Sequence, residues 1–404
     1  ARTYNSVGEL NKALQYFRKI VFDYPSSVLV VDSKIYIADI YFKQGNNAKA
    51  EEEYEKILEK YGASNADACE RATRGLIEVY ISMGRPEKAE ELAAQYSCAN
   101  FSAHEQEDLY YLPAMKEYQD SSYAKAIPLF EKYLTKFSTG GRYTNEVKNY
   151  LANSYYETGD LEKAVDLYKK TLEGPNTGFT ELAAARVAHY LYTEKRYDEV
   201  IKYYNRLENV SSQPDVIFNA QIGLMRSHFL IENWSNAVEY AEKVLGSSQI
   251  NNELKLEGHY AKGMANYQLT NYDKAKSSLV WIVKNTTTVK AAEARYTLAE
   301  MYYKQNYLEN ADDEVSALLK QKPAYNYWIA RGLILRTRVQ IAQDKLFEAE
   351  QTLKSVIDHY PVPDDGILDE ANELWNELMQ LKDQPKSFDP EVDQIIEIND
   401  GGEE

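Results

Sequence analysis

Apolar positions along this chain fall in a rhythm set by alanines. Large side chains follow an alanine at plus four and plus seven, as Phe17 and Ile20 follow Ala13, Tyr54 and Ile57 follow Ala50, and Phe130 and Tyr133 follow Ala126. That spacing is one apolar face of an α-helix. A small residue also stands 12 positions before the alanine at Ala38, Ala114, Ala152, Ala188, Gly263 and Ala299, with Ile77, Met225 and Thr337 in the same place elsewhere. Small residues at both places let two antiparallel helices approach closely. A Gly or a short polar turn separates the two halves. Pro25, Pro214, Pro323 and Pro361 lie in or near the turns that end several units, where proline stops a helix.

The pattern repeats. Segments related to GDLEKAVDLY, which starts at residue 159, run from GELNKALQYF at residue 8 to DKLFEAEQTL at residue 344. Aligned on the shared small residue, the anchors are Ala13, Ala50, Ala89, Ala126, Ala164, Val200, Ala237, Ala275, Ala311 and Ala349. Successive spacings are 37, 39, 37, 38, 36, 37, 38, 36 and 38 residues. Chance would not hold nine intervals in so narrow a band, so this is a repeat protein. One helix pair cannot bury its apolar face alone, and neighbouring pairs must stack.

The small residues of the first helix, with the alanine and following aromatic of the second, resemble the tetratricopeptide repeat family. The resemblance covers about residues 1–361. It implies an all-α fold, a right-handed α-solenoid of about ten helix–turn–helix units, here called helix A and helix B, with a C-terminal capping helix. Two features depart from the family pattern: the period is longer than the usual 34 or so, which calls for longer turns or second helices, and the tryptophan usual near the start of helix A is mostly absent. The reading divides the chain into the solenoid at 1–361, a capping helix at 362–382 and an acidic, disordered tail at 383–404. Ala1 and Tyr4 fall at helix A positions, so the chain is expected to start in mid-helix, as an excerpt of a longer array. LDEANELWNELMQLK places Leu368, Ala371, Trp375 and Leu378 on one face, as a helix A without a helix B would. Beyond it, residues 383–404 carry eight acidic residues and one lysine.

Composition narrows the function. The 404 residues carry a net charge of −17, and no basic stripe offsets it. Such a surface repels phosphate backbones and anionic lipid, which argues against nucleic-acid and polybasic membrane binding. No window approaches the roughly 18–20 apolar residues of a membrane span, so direct membrane insertion is not expected. The five histidines lie in different repeats without a metal-ligand pair, and there is no GxSxG, GxGxxG or phosphate loop. The chain is therefore read as non-enzymatic, with no metal and no cofactor. The two cysteines, Cys69 and Cys98, open helix A and close helix B of the third unit. In an antiparallel hairpin those ends lie side by side, so a disulfide is geometrically possible. Two unrelated thiols in a reducing compartment are the other reading. A bonded pair would place the protein in an oxidising space such as a periplasm.

In the family, helix A lines the concave surface, where partners lie as extended peptides or helices. The inward positions are taken as 15, 11 and 8 residues before each anchor. The last of these reads Phe42, Ile81, Tyr118, Tyr156, Tyr192, Phe229, Tyr267, Tyr303 and Ile341, an aromatic-rich stripe. Tyrosine suits recognition, since it offers rigid apolar area and a hydroxyl at low entropic cost. The expected partner groove is Tyr118, Asn149, Asn153, Tyr156, His189, Tyr192, Arg226, Phe229, Tyr267 and Tyr303, with Arg338 as a further polar neighbour. The competing view is that such rings only pack against the next helix. At the places where the family clamps acidic chaperone tails the chain has Ile35 and Asp39, Arg74 and Glu78, and Tyr111 and Met115, so that clamp is not reproduced. The leading function is a scaffold that binds a protein or peptide partner in this groove. The wording also resembles large repeat proteins of Gram-negative cell envelopes, which favours a periplasmic or envelope location over the cytoplasm. Two alternatives are a ligand- or glycan-binding envelope lipoprotein, which the regular spacing opposes, and the targeting part of a longer enzyme. Oligomeric state is left open.

Overall fold

A computed structural model describes residues 1–99 and 101–383; the acidic segment from residue 384 onward lies outside the described residues. Among these there are 21 α-helices and no strand. The fold is an all-α solenoid of stacked helix pairs. The chain divides into two compact units, Ala1–Glu194 and Lys195–Glu404.

The first unit holds α1 (Arg2–Ser6), α2 (Leu10–Asp23), α3 (Leu29–Lys43), α4 (Asn47–Tyr61), α5 (Ala66–Ser82), α6 (Pro86–Gln95), α7 (Ala103–Gln119), α8 (Tyr123–Lys136), α9 (Thr144–Glu157), α10 (Leu161–Thr171) and α11 (Thr180–Thr193). From α3 on, odd-numbered helices are A helices and even-numbered ones B helices. The second unit opens on a B helix, α12 (Tyr197–Val210). Three hairpins follow: α13 (Pro214–Leu230) with α14 (Trp234–Gly246), α15 (Asn252–Gln268) with α16 (Tyr272–Asn285), and α17 (Val289–Lys304) with α18 (Leu308–Lys320). The last hairpin is α19 (Asn326–Ala342) with α20 (Leu346–His359), and α21 (Ile367–Asp383) packs on both of its helices.

The repeat pattern explains the packing. All ten anchors have 0% exposure, and the small residues 12 positions earlier are buried too. The turn between helices A and B has one fixed solution. In every repeat the residue five before the anchor takes a left-handed backbone: glycine at 8, 45, 84 and 159, but Ser121, Lys195, Glu232, Thr270, Asn306 and Asp344 in the other six. Caps close several helix starts, as where Asn46, Asn65 and Asn251 accept backbone N–H bonds and Ser102 with Glu105 forms a capping box.

Contacts between repeats are made largely by tyrosine. The Tyr80, Tyr110 and Tyr155 hydroxyls donate to Glu55, Glu90 and Glu131 on a neighbouring helix B, and in the second unit Tyr240 donates to Glu208. Where a ring must lie flat on the next helix A, that helix makes room. A Cβ at Gly75 would lie 2.5 Å from the Tyr54 hydroxyl and 2.7 Å from Cε1, and one at Gly223 would meet the Tyr204 ring similarly. Two repeats use a stacked pair at the same place instead, Tyr36 on Phe17 at 4.8 Å and Tyr150 on Phe130 at 6.1 Å.

Candidate functional site: the helix A face of the first unit

The predicted stripe forms a row of half-buried side chains, but most of its members are engaged by the next repeat. Tyr118 packs 4.7 Å from the Tyr150 ring, and its hydroxyl accepts a 3.0 Å bond from Asn153 Nδ2. Arg186 lies 3.8 Å over the Tyr156 ring and donates to Glu157. Tyr155 is 9% exposed and donates to Glu131, so of that adjacent pair one ring holds the repeats together and the other forms part of the A face.

In the second unit the polar members close on themselves. Arg226 forms a two-pronged pair with Glu257 at 2.6 and 2.7 Å. Arg338 and Arg331 converge on one carboxylate, Glu370, at 2.9 and 3.0 Å. Tyr267 donates to Glu300 at 2.7 Å and accepts from Lys304 at 2.6 Å; burial and Glu300 hold its phenol well above the ordinary range. Phe229 packs against Trp234 and Tyr260, and Tyr303 against the buried cluster around Tyr296. His189 is exposed and Tyr192 half-buried on α11.

One expected groove residue belongs elsewhere. Asn149 is 5% exposed and donates back to the Asn145 carbonyl at 2.8 Å. In five repeats the position 15 before the anchor is not inward-facing. Ile35, Asn149, Ile222, Tyr296 and Ile334 are all buried there, and Ile222, Tyr296 and Ile334 pack into clusters with the helix B of their own repeat. In those repeats the open face is lined by the positions 11 and 8 before the anchor, whereas Tyr111, 15 before Ala126, does lie on it.

Beside Phe42 and Ile81 of the stripe, a gap opens. A hollow of about 510 Å³ lies across the helix A surfaces of α3, α5 and α7, floored by Phe42, Ile81, Tyr111, Leu112 and Met115 with Glu78 and Lys116 at its rim. Its position has a simple cause. At Tyr118, Tyr156 and Tyr267 the tyrosine eight before the anchor reaches the next helix A, as Tyr118 reaches Tyr150. Ile81 is too short to do so, and Met115 replaces the polar residue opposite. Leu112 stays 48% exposed. A second hollow of about 470 Å³ shares Ile81, Ser82 and Lys116 and continues over the α5–α6 turn to α8.

Beside these hollows the third repeat is braced. Its α6 has 10 residues, the shortest of the B helices from α2 to α20. Cys69 in the first turn of α5 and Cys98, three residues past α6, form a disulfide with Cα atoms 6.1 Å apart. Among the described residues no group of three His, Cys, Asp or Glu side chains is arranged to hold a metal ion, and no helix is long and apolar enough to cross a membrane.

Comparison with known proteins finds tetratricopeptide repeat models in three stretches of the chain. A family model described as tetratricopeptide repeat matches residues 37–103 and 260–326, and a second of the same description matches 146–174. Among solved structures, a tetratricopeptide repeat protein from Parabacteroides merdae is 14% identical over 66% of this chain and 98% of that one, with a TM-score of 0.32. The pilF protein of Pseudomonas aeruginosa is 19% identical over 54% of this chain and 93% of its own, with a TM-score of 0.27. The TPR2AB domain of yeast Sti1, solved in a pHSP90 complex, is 17% identical over 68% and 96%, with a TM-score of 0.30. No curated protein matches the sequence.

Proposed function

Because the chain belongs to the tetratricopeptide repeat family, a fold that is generally a non-catalytic interaction module, we propose that it is a scaffold which seats an extended segment of a partner protein in the helix A hollow of the first unit. The observation that carries this reading is the hollow itself. Five apolar side chains line an open space of about 510 Å³ on a face where the Tyr118 and Tyr156 rings are engaged by the next repeat. Exposed apolar area at one place on a charged surface is what a partner's large side chains can cover. On this reading Phe42, Ile81, Leu112 and Met115 supply contact area, and Glu78 and Lys116 set the orientation of the bound segment. Tyr118, Tyr156, Tyr267 and Tyr303 act mainly as spacers between repeats. The chain is read as non-enzymatic. An oxidising location such as a periplasm is part of the proposal, supported by the Cys69–Cys98 bond.

Site-specific photocrosslinking tests the groove. A benzophenone side chain at Leu112 is expected to capture a partner, and one at Phe347, exposed in the second unit, is not. The adduct should vanish in an Ile81→Glu, Met115→Glu variant of unchanged helicity. Capture that survives this variant would remove the hollow from the function.

A further inference from the structure

The hollow and the disulfide belong to one structural problem. Helix α7 supplies Tyr111, Leu112, Met115 and Lys116 to the hollow, and residues 96–99, 101 and 102 lead into its start. In the other repeats a B helix of 11 to 15 residues fixes the following helix A by packing. Here α6 stops after 10 residues, at Gln95, and the bond from Cys98 to Cys69 ties the segment directly to α5. Few other contacts do this job. Thr73 Oγ1 lies 3.8 Å from Cys98 Sγ, Ala99 is buried, and Arg74 of α5 reaches Glu105 at 3.3 Å and covers the Phe101 ring at 5.2 Å. Because α5 carries the opposite wall of the hollow, at Glu78 and Ile81, the distance between its two walls depends on this tie.

Resting on the groove reading above, we propose that the Cys69–Cys98 disulfide is a redox-sensitive brace that holds the hollow in its binding shape, and that a dithiol reductant switches it off. The two sulfurs differ in access: Cys69 is 3% exposed, whereas Cys98 is only partly buried. A thiolate of the reductant attacks Cys98 Sγ and displaces the Cys69 thiolate, which takes up a proton. The reductant's second thiol then attacks the mixed disulfide, frees Cys98 as a thiol, and leaves the reductant oxidised to its own disulfide. The chain gains two electrons and two protons. Without the bond, residues 96–99 lose their covalent tie to α5; Tyr110 and Glu107 still hold α7 to α6 and α8, while its start is held to α5 by the Arg74 contacts, so α7 can shift against α5.

The methionines make this testable without a known partner. Met115 floors the first hollow and Met83 lines the second, whereas Met225, Met264, Met301 and Met379 all belong to the second unit. With the methyl groups labelled with carbon-13, reduction of the full chain by dithiothreitol is expected to move the Met83 and Met115 resonances to new, dispersed positions. The four other resonances should stay in place and report intact folding. A Cys69→Ser, Cys98→Ser variant should show the reduced pattern with or without reductant. The brace is overturned if thiol titration counts two thiols while Met83 and Met115 do not move, or if both collapse onto the random-coil position. Crosslinking at Leu112 decides the groove reading separately. If capture there is unaffected by Ile81→Glu, Met115→Glu while the methyl shifts occur, the groove reading fails and the coupling of brace to hollow stands.

Discussion

Gly75 gives the most direct test of how the repeats are stacked. Replacing it with alanine adds one carbon in the middle of α5. Helix propensity alone favours the change by about 1 kcal/mol. The structure opposes it, because the new Cβ would lie 2.5–2.7 Å from the hydroxyl oxygen and Cε1 of Tyr54, about 0.7–0.9 Å inside ordinary contact. Tyr54 is 1% exposed and its hydroxyl donates to Asp39, so the ring cannot swing aside without breaking that bond. Crowding of this kind costs about 2–3 kcal/mol, and the net expectation is a loss of about 1–2 kcal/mol. Urea unfolding followed by far-ultraviolet circular dichroism measures it. Gly223→Ala repeats the experiment against Tyr204 in the second unit, where all four tryptophans lie and fluorescence is the probe. Gly332→Ala is the control. Its Cβ would meet Val315 Cγ1 at an ordinary 3.5 Å and the tip of Leu318 at 3.0 Å, a side chain that can give way, so it should fall within about 0.5 kcal/mol of wild type. In a Gly75→Ala, Tyr54→Leu double variant the two losses should be less than additive by about 1 kcal/mol. A Gly75→Ala protein as stable as wild type, or strict additivity, would refute the account of Tyr54 as a ring seated on a glycine.

Three further outcomes follow from the same structure. Thr270 is β-branched yet sits at φ 58°, so Thr270→Gly should stabilise the second unit by about 1 kcal/mol in fluorescence-detected urea unfolding; Asn306→Gly, at a residue that tolerates this backbone, should change little, and equal effects would contradict the strain argument. Glu370→Ala leaves Arg331 and Arg338 without their shared carboxylate; a loss of about 1–2 kcal/mol and faster amide exchange confined to α21 and the end of α19 are expected, discounted for the partial exposure of the pair, and unchanged exchange in α21 would show that Glu370 does not hold it. His228 is 5% exposed, with Nδ1 buried and unbonded beside the Tyr240 ring. Burial lowers its pKa, against a smaller opposing pull from Glu239, and burial lowers that of His259 on Trp281 as well. A lowered pKa means that the unfolded chain binds the proton first, so stability is full above about pH 6.5 and falls below it, by at most about 1.4 kcal/mol per pH unit for each histidine. A His228→Phe, His259→Phe variant should lose much of that slope between pH 6.5 and 5; an unaltered slope would assign the acid sensitivity to other groups.

The parts of this protein that recur were legible in its sequence because repetition averages out local noise. One buried alanine is a weak signal, whereas ten at spacings of 36 to 39 residues specify a hairpin, its closest approach and its stacking partners together. The A–B turn shows the limit of that method. Gly8, Gly45, Gly84 and Gly159 announce a left-handed residue, but Lys195, Glu232 and Thr270 take the same backbone without any local sign of it. There the turn geometry, fixed by two packed helices, overrides residue preference. Asn149 fails for a related reason. Three positions of one helix face were assigned inward by spacing alone, and in the repeat of Asn149, as in four others, burial separates the one 15 before the anchor from the other two.

The candidate site runs opposite to the signal that the sequence gives most loudly. Tyrosine is abundant along the inner stripe, and abundance directs attention to Tyr118, Tyr156 and Tyr267. Those rings fill space: each spans from one helix A to the next, and Arg186, Tyr150 or Glu300 occupies its far side. A regular array of bridging rings leaves no room for a partner, so a binding surface is expected where the regularity lapses. Ile81 and Met115 are such lapses, and the hollow lies over both. The same repeat has the shortest B helix and the disulfide. Shortening a B helix reduces the packing that sets the following helix A, and a covalent tie can restore that helix's position without refilling the gap. In a solenoid whose stability is a sum of nearest-neighbour interfaces, such a compensated defect can expose apolar surface without loosening the array.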